Sequence, residues 1–363
     1  MYTQHVATVS GLVYTDPDSN RLRPSAVLSK HSNCRSTHIT QGLAPMRLRT
    51  KRPTDACRSR PDRRWPWLAL GLLCGVSFAC SDAGIVVLGD QVPRPYHFDS
   101  PQRLEELSIE DRSDNPSLTS DLLEIYFTAA RGFDRADVWT ATRTDPNAAF
   151  DTPVLVSEVN SSAVETSPIV AEDGLTLWIG SDRAGGIGAL DVWVATRDAR
   201  GEPWSTPKLV PELSGSGNDL PRLPGQHRTT MPLSSDRDSG GLYQIYFATR
   251  TQPSAVFATP RLVPELSFDN MITIDGFLSD DGLTVFWDSG PEFGAADMYV
   301  AWRRSTADRF EHVTALSDLN TPSNERDPWL SPDGRLLFFS SDRGGRYEIY
   351  VAAAHRSAIA VDP

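Results

Sequence analysis

A ring of repeated four-stranded β-blades, an all-β propeller, is the fold this sequence predicts, and three spacings predict it. The first belongs to a β-prone segment that recurs along the chain: Asp137 to Arg143, Asp191 to Arg197, Gln244 to Arg250, Asp297 to Arg303 and Glu348 to Ala352, at steps of 54, 53, 53 and 51 residues. The second is an aromatic-x-x-Pro marker: Phe98 with Pro101, Phe150 with Pro153, Trp204 with Pro207, Phe257 with Pro260, and Phe310, where Val313 replaces Pro. The third is Asn115-Pro116, Ser167-Pro168, Leu220-Pro221, Ile274-Asp275 and Asp327-Pro328. A fixed period of this length means one supersecondary unit per repeat, each needing its neighbours to bury its faces.

Each unit reads in the same order. An inner strand follows the third marker. An Asp-Gly turn, as in Ser331-Pro332-Asp333-Gly334, leads into an apolar second strand that ends at Ser341-Asp342-Arg343-Gly344-Gly345. The first recurring segment is the third strand, and the fourth follows aromatic-x-x-Pro, where a proline suits an edge strand. Four such strands make a propeller blade. The last unit stops after its third strand, near Ala354, while an unpartnered outer strand, His97 to Leu104, precedes the first hairpin. If that strand completes the last blade, residues 97–363 form a closed ring of five blades with no exposed edge. Six blades are the alternative if Ile85 to Tyr96 hides a degenerate unit. On this reading Arg343→Ala should cost under about 1 kcal/mol, and deletion of residues 97–104 several.

The first part of the chain is different. Residues 1–45 are polar and without hydrophobic period, expected to be disordered or a misassigned start. Residues 46–80 run from Arg and Lys through an apolar stretch, Trp65 to Ala79, to Cys80. That is the order of an export signal, and about fifteen apolar residues fall short of the roughly twenty a spanning helix needs. Ala79-Cys80 followed by a polar run resembles a bacterial lipoprotein box, with Cys80 lipidated, although Ser77 stands where Leu is common. Simple cleavage before Cys80 and an uncleaved anchor are the other readings. Residues 81–96 would be a linker.

Charge follows the same division. Residues 1–80 hold 12 of the 35 Lys and Arg but 4 of the 47 acids, which leaves 23 basic against 43 acidic residues, a balance of −20, in the remainder. Such a body repels nucleic acid and anionic lipid. All four cysteines, Cys34, Cys57, Cys74 and Cys80, lie in the first part, so the propeller has neither a disulfide framework nor a thiolate metal site. Its histidines, His97, His227, His312 and His355, have no metal-ligand spacing, and no metal or cofactor is expected.

The motifs Ser-Pro-Asp-Gly, Ser-Asp-Arg-x-Gly-Gly and Asp-Ile-Tyr-Val-like third strands resemble the TolB-type β-propeller repeat of exported bacterial proteins, over about 265 residues. The resemblance implies the fold and leaves function open. The third blade departs from it at Gly225 to Thr230, the fourth has Asp288-Ser289-Gly290 in place of Ser-Asp-Arg, and the first has Ala130-Arg131-Gly132 there.

Three sets of residues are candidates for binding. Asp114, Glu165, Asp219, Asp275 and Asp327 stand at the starts of the inner strands and could converge as a carboxylate ring at the channel mouth, where crowding would raise some pKa values; alternatively they cap turns. Arg183, Arg237 and Arg343 could line one face and grip an acid, or simply pair within their turns. Trp302 and Trp329 could be stacking platforms, or packing residues between blades.

No Gly-x-Ser-x-Gly, His-Glu-x-x-His or phosphate loop is present. Ser279-Asp280-Asp281-Gly282 resembles the sialidase Asp box but lacks the residue between Asp and Gly. The expected function is a non-enzymatic, monomeric exported propeller, periplasmic or anchored to the outer membrane through a lipid on Cys80, or else secreted, that binds a protein or glycan of the cell envelope. The alternative is a carbohydrate-active enzyme, since a glycosidase needs two carboxylates and the channel offers them.

Overall fold

Among the described residues the regular backbone consists of twenty-one short strands and two single 3-10 turns. The computed structural model describes residues 95–109, 111–130, 135–225, 227–292 and 294–357. The export segment, the lipidation candidate Cys80 and most of the 81–96 linker lie outside them. No helix among the described residues is long and apolar enough to cross a membrane.

The strands form five antiparallel blades. Blade 5 takes β1 (Tyr96–Phe98) and β2 (Gln102–Arg103) from the start of the propeller. Blade 1 is β3 (Arg112–Leu118), β4 (Glu124–Ala130), β5 (Ala136–Thr142) and β6 (Val154–Leu155). Blade 2 is β7 (Glu165–Val170), β8 (Thr176–Ser181), β9 (Asp191–Thr196) and β10 (Lys208–Leu209). Blade 3 is β11 (Asp219–Pro221), β12 (Thr230–Ser235), β13 (Gln244–Thr249) and β14 (Arg261–Leu262). Blade 4 is β15 (Ile272–Leu278), β16 (Thr284–Gly290), β17 (Asp297–Trp302) and β18 (Glu311–Ala315). The rest of blade 5 is β19 (Glu325–Leu330), β20 (Leu336–Ser341) and β21 (Glu348–Arg356), with both β1 and β2 paired antiparallel to β21. The outer edge of the last blade is therefore the N-terminal strand pair.

The recurring sequence markers each have a physical cause. Second strands such as β4 and β16 are buried along their whole length, because both faces pack on neighbouring blades. They therefore read as apolar runs rather than alternating ones. In four of the five markers the aromatic sits beneath an arginine from the end of the third strand: Arg143 on Phe150, Arg197 on Trp204, Arg250 on Phe257 and Arg303 on Phe310, at 4.2, 4.5, 4.2 and 4.4 Å from the ring centre. Each of these arginines also donates Nε–H to a carbonyl of the turn between the first two strands. This cation–π and hydrogen-bond clasp anchors the start of the outer strand, which begins directly after the proline in blades 1–3 and, with no proline, directly after Phe310 in blade 4.

A ring of hydrogen bonds joins successive blades. Four inner strands carry a β-bulge whose central residue has a left-handed backbone: Asn115, Ser167, Asp275 and Asp327, with φ between 49° and 62°. The bulge turns that residue's N–H out of the ladder, and it donates instead to a second-strand side chain of the preceding blade. Ser167 N–H reaches Thr128 Oγ1 at 3.2 Å, Asp275 reaches Ser234 Oγ at 2.8 Å, Asp327 reaches Asp288 Oδ1 at 3.1 Å, and Asn115 reaches Ser340 Oγ of blade 5 at 3.1 Å. The fifth position is Pro221, which has no N–H, and the matching acceptor position holds Gly180, which has no side chain. Donor and acceptor are missing together, so no buried group is stranded. A Cβ on Gly180 would meet Leu220 at 2.7 Å, so at this position blade 3 meets blade 2 by apolar contact instead, while Asp219 N–H still donates to the Leu190 carbonyl of blade 2 at 2.7 Å.

Candidate functional site

Strand pairing aligns Ser113, Glu165, Asp219, Thr273 and Glu325, each opposite the end of its second strand. On that register the five sequence candidates occupy three different positions, and they do not form one ring. Glu165 and Asp219 share the first position, Asp114 takes the second, and Asp275 and Asp327 take the third.

Glu165 and Asp219 are fully buried and bound to the arginines of their own blades. Arg183 Nη2 donates to Glu165 Oε1 at 2.9 Å, Arg237 Nη2 donates to Asp219 Oδ1, and Arg343 Nη2 donates at 3.0 Å to Glu325 Oε1, a carboxylate absent from the sequence candidates. The same guanidinium in each blade also donates to the carbonyl of Val159, Leu213 or Leu319 and, through Nε, to Ser181, Ser235 or Ser341 at 3.0 Å. Arg183, Arg237 and Arg343 are thus internal struts that tie the turn to the loop entering the blade. Their side chains are 13, 12 and 19% exposed, which leaves little surface for a ligand acid.

The third position does converge on the ring axis. Asp275, Asp327 and Asp288 have carboxylate oxygens within 4.8 Å of one another, and all three residues are buried. Asp275 and Asp327 are bulge residues, where a left-handed backbone favours Asp or Asn. Asp288 is the acceptor for the Asp327 N–H. Into this group reaches Arg222, which follows Pro221 at the place where the other blades have Pro116, Pro168, Gly276 and Pro328. Its guanidinium pairs with Asp275, lies 3.8 Å from Asp327 Oδ1 and donates to Asn115 Oδ1 at 3.3 Å. One side chain from blade 3 therefore touches the inner strands of blades 4, 5 and 1.

Electrostatics follow from burial. The Asp288 carboxyl is pushed up to about 8, chiefly because burial disfavours its ionised form; Arg326 and Arg222 oppose the rise and Asp327 adds to it. Asp114 borders the group, 3.4 Å from Arg112 Nε and hydrogen-bonded by Asn115 Nδ2, and burial raises its carboxyl too, with Asp327 contributing. Burial lowers the Arg222 guanidinium. Asp288 Oδ2, Arg222 Nε and Trp329 Nε1 are buried without a hydrogen-bond partner.

The cavity beside this group is about 10 Å³ and is lined from every blade, by residues including Asn115, Ile169, Arg222, Phe277, Asp327 and Trp329. That is room for about one water molecule and far below the roughly 300–1,000 Å³ of small-molecule sites. Trp329 is 2% exposed and packs edge-on against Phe338 and Phe277, and Trp302, 9% exposed, stacks on His312 with ring centres 4.9 Å apart. Neither presents a stacking face to solvent.

No protein-family model and no curated protein matches the sequence. Solved structures do resemble the fold. TolB from Acinetobacter baumannii is 16% identical, with 69% of this chain covered and a TM-score of 0.43; this chain spans only 56% of its length. The catalytic domain of a GH62 α-L-arabinofuranosidase from Coprinopsis cinerea is 12% identical, covering 73% of this chain and 98% of its own, with a TM-score of 0.50. An endo-arabinase from Bacteroides thetaiotaomicron is 11% identical, covering 69% and 98%, with a TM-score of 0.50. What is shared is the propeller. At these identities the likeness extends to the fold alone.

Sequence reasoning missed Arg222, Asp288 and Glu325. Arg222 carried a signal, a charged residue where four other repeats have Pro or Gly, but it becomes visible only once the third marker is aligned by strand pairing rather than by proline. Asp288 stood in a noted departure from Ser-Asp-Arg, one place before the serine that pairs with Thr273.

Proposed function

We propose that the protein is a non-enzymatic, exported propeller that binds a protein or glycan of the bacterial cell envelope through the rim of its ring. The observation that supports this reading is Arg222: its guanidinium occupies the axis, paired with Asp275 and 3.8 Å from Asp327, and the cavity left beside it holds about one water. A partner then has the exposed turns to grip. The turns between first and second strands gather Glu172, Asp173, His227, Arg228 and Asp280 at one end of the channel. Arg228 Nη1 is 3.3 Å from Asp173 Oδ2 there, and His227 Nδ1 is 3.1 Å from Asp280 Oδ2. Glu172 is held above the usual carboxylate range by partial burial and then by Asp280. A rim of mixed, mostly acidic polar groups suits a basic or hydroxyl-rich partner and disfavours nucleic acid. Anchoring through a lipid on Cys80 belongs to the same proposal. The test is a pull-down from bacterial envelope extract: a defined partner should be recovered by the intact propeller and lost with Asp173→Asn and Asp280→Asn together. Recovery unchanged by both substitutions would remove the rim from the proposal.

One observation favours the second reading, a carbohydrate-active enzyme. Asp288 holds a proton up to a pH of about 8 beside Asp275 and Asp327. A carboxylic acid that keeps its proton near neutral pH, with a second carboxyl group nearby, is the general-acid half of the pairing glycoside hydrolysis uses. Against it stand the Arg222 pair and the size of the cavity.

A further inference from the structure

The seam where the N-terminal strand joins the last blade carries two of the propeller's four histidines directly opposite each other. His97 of β1 is in register with His355 of β21. The ladder bonds flanking them, Asp99 N–H to the Ala353 carbonyl and Ser357 N–H to the Pro95 carbonyl, both 2.9 Å, make this a hydrogen-bonded pair, with α-carbons about 5.5 Å apart. Opposed residues point to the same face of the sheet, as does Asp99, two positions along β1. Both imidazoles are open to solvent, 55 and 61% exposed.

A carboxylate stands beside each ring, within hydrogen-bond reach only at His355. Asp318 Oδ2 is 3.6 Å from His97 Nδ1 and also accepts the Phe98 N–H at 3.2 Å, which fixes its place; Asp99 Oδ1 is 3.1 Å from His355 Nε2. A carboxylate that takes the N–H on one side of an imidazole leaves the lone pair of the other nitrogen for a metal. That gives His355 Nδ1 as a donor with Asp99 close enough to orient its ring, and His97, opposite it on the same face, as the second ligand, with the Asp318 charge nearby. Neutral imidazole with flanking carboxylate suits a borderline dication such as Zn²⁺ or Ni²⁺, and not Ca²⁺ or Mg²⁺.

We propose that His97 and His355 bind a transition-metal dication across the closure seam, with Asp99 positioning the His355 ring. The two ligands are 258 residues apart in sequence and meet only when β1 is seated on β21, so the metal binds the closed ring and not the open chain. Binding of this kind stabilises closure by mass action. The spacing of the histidines in sequence hides the site completely.

Thermal unfolding of the full chain with added ZnCl₂ or NiCl₂ tests this. The first 80 residues hold four cysteines and three histidines of their own, so the readout is the difference between variants. Zn²⁺ at a hundred times its dissociation constant should raise the melting temperature by about 5 °C, with no rise from Mg²⁺. His97→Asn and His355→Asn should each abolish the rise, and Asp99→Asn should weaken binding about tenfold or more. His227→Asn should retain it, because His227 has the same kind of carboxylate partner, Asp280, but is not one of the opposed pair. A rise that survives both His97→Asn and His355→Asn, one that His227→Asn removes, or no rise with either metal at millimolar concentration overturns the proposal.

Discussion

Arg222 and Asp275 form an ion pair at the axis of the ring, joining the inner strand of blade 4 to the residue that follows the inner strand of blade 3. The pair is buried on both sides, 7 and 5% exposed, and Asp327 stands 3.8 Å from the same guanidinium. A propeller channel lined with acids is a ready cation or sugar site when it is empty. Here the chain supplies the cation itself.

The first prediction concerns that pair. Arg222→Met should destabilise the domain by about 3–5 kcal/mol, because it leaves buried acids without their counter-charge. Asp275→Asn added to Arg222→Met should recover part of the loss rather than deepen it. Urea unfolding of the two single variants and the double variant measures the coupling.

Stability should fall with rising pH between about 4 and 8. Asp288 has a folded-state value near 8, well above the ordinary carboxylate value, so the folded protein holds a proton that the unfolded chain has released. The stability this contributes is fully present below about pH 4 and is lost as pH rises through about 8. Raised Asp114 and Asp219 act with the same sign. Asp288→Asn removes one such contribution and should make the profile shallower, as read from melting temperature against pH.

The arginine struts should matter more than their turn position implies. Arg343→Ala removes donors to Glu325, Ser341 and Leu319, and Glu325 is fully buried. A loss of about 2–3 kcal/mol is expected in place of the sequence-based figure of under about 1. Deletion of residues 97–104 should still cost more, because it uncovers β21 along two pairings and removes Phe98, which packs edge-on to Phe286. Parallel thermal melts of the two variants rank them.

Period, strand order and blade count were legible because they rest on local chemistry that repeats: Asp-Gly turns, apolar second strands, and an aromatic placed for an arginine clasp. The pairing of β1 and β2 with β21 was legible from the count of strands alone. The site was legible only in part. Asp275 and Asp327 were among the expected channel acids, but Glu165 and Asp219 resemble them in sequence and belong to struts. What separates the two kinds is a one- or two-residue difference in register, and the four bulges that set it depend on hydrogen bonds to the preceding blade, which a repeat alignment does not contain. His97 and His355 illustrate the same limit, since strand pairing alone brings them together.

The inter-blade ring gives a further test. Ser234→Ala leaves the buried Asp275 N–H without its acceptor and should cost about 1–3 kcal/mol. Gly180→Ser adds an acceptor where Pro221 has no N–H to give, so it should not stabilise, and its Cβ meets Leu220. Denaturant midpoints for the two variants decide whether the ring is worth what its geometry implies.

Whether the axis does any chemistry is read from turnover of a panel of aryl glycosides between about pH 4 and 8 with the wild-type protein and with Asp327→Asn. The proposed binding role predicts no turnover above background by either protein at any pH. Turnover by the wild type that Asp327→Asn abolishes would contradict it.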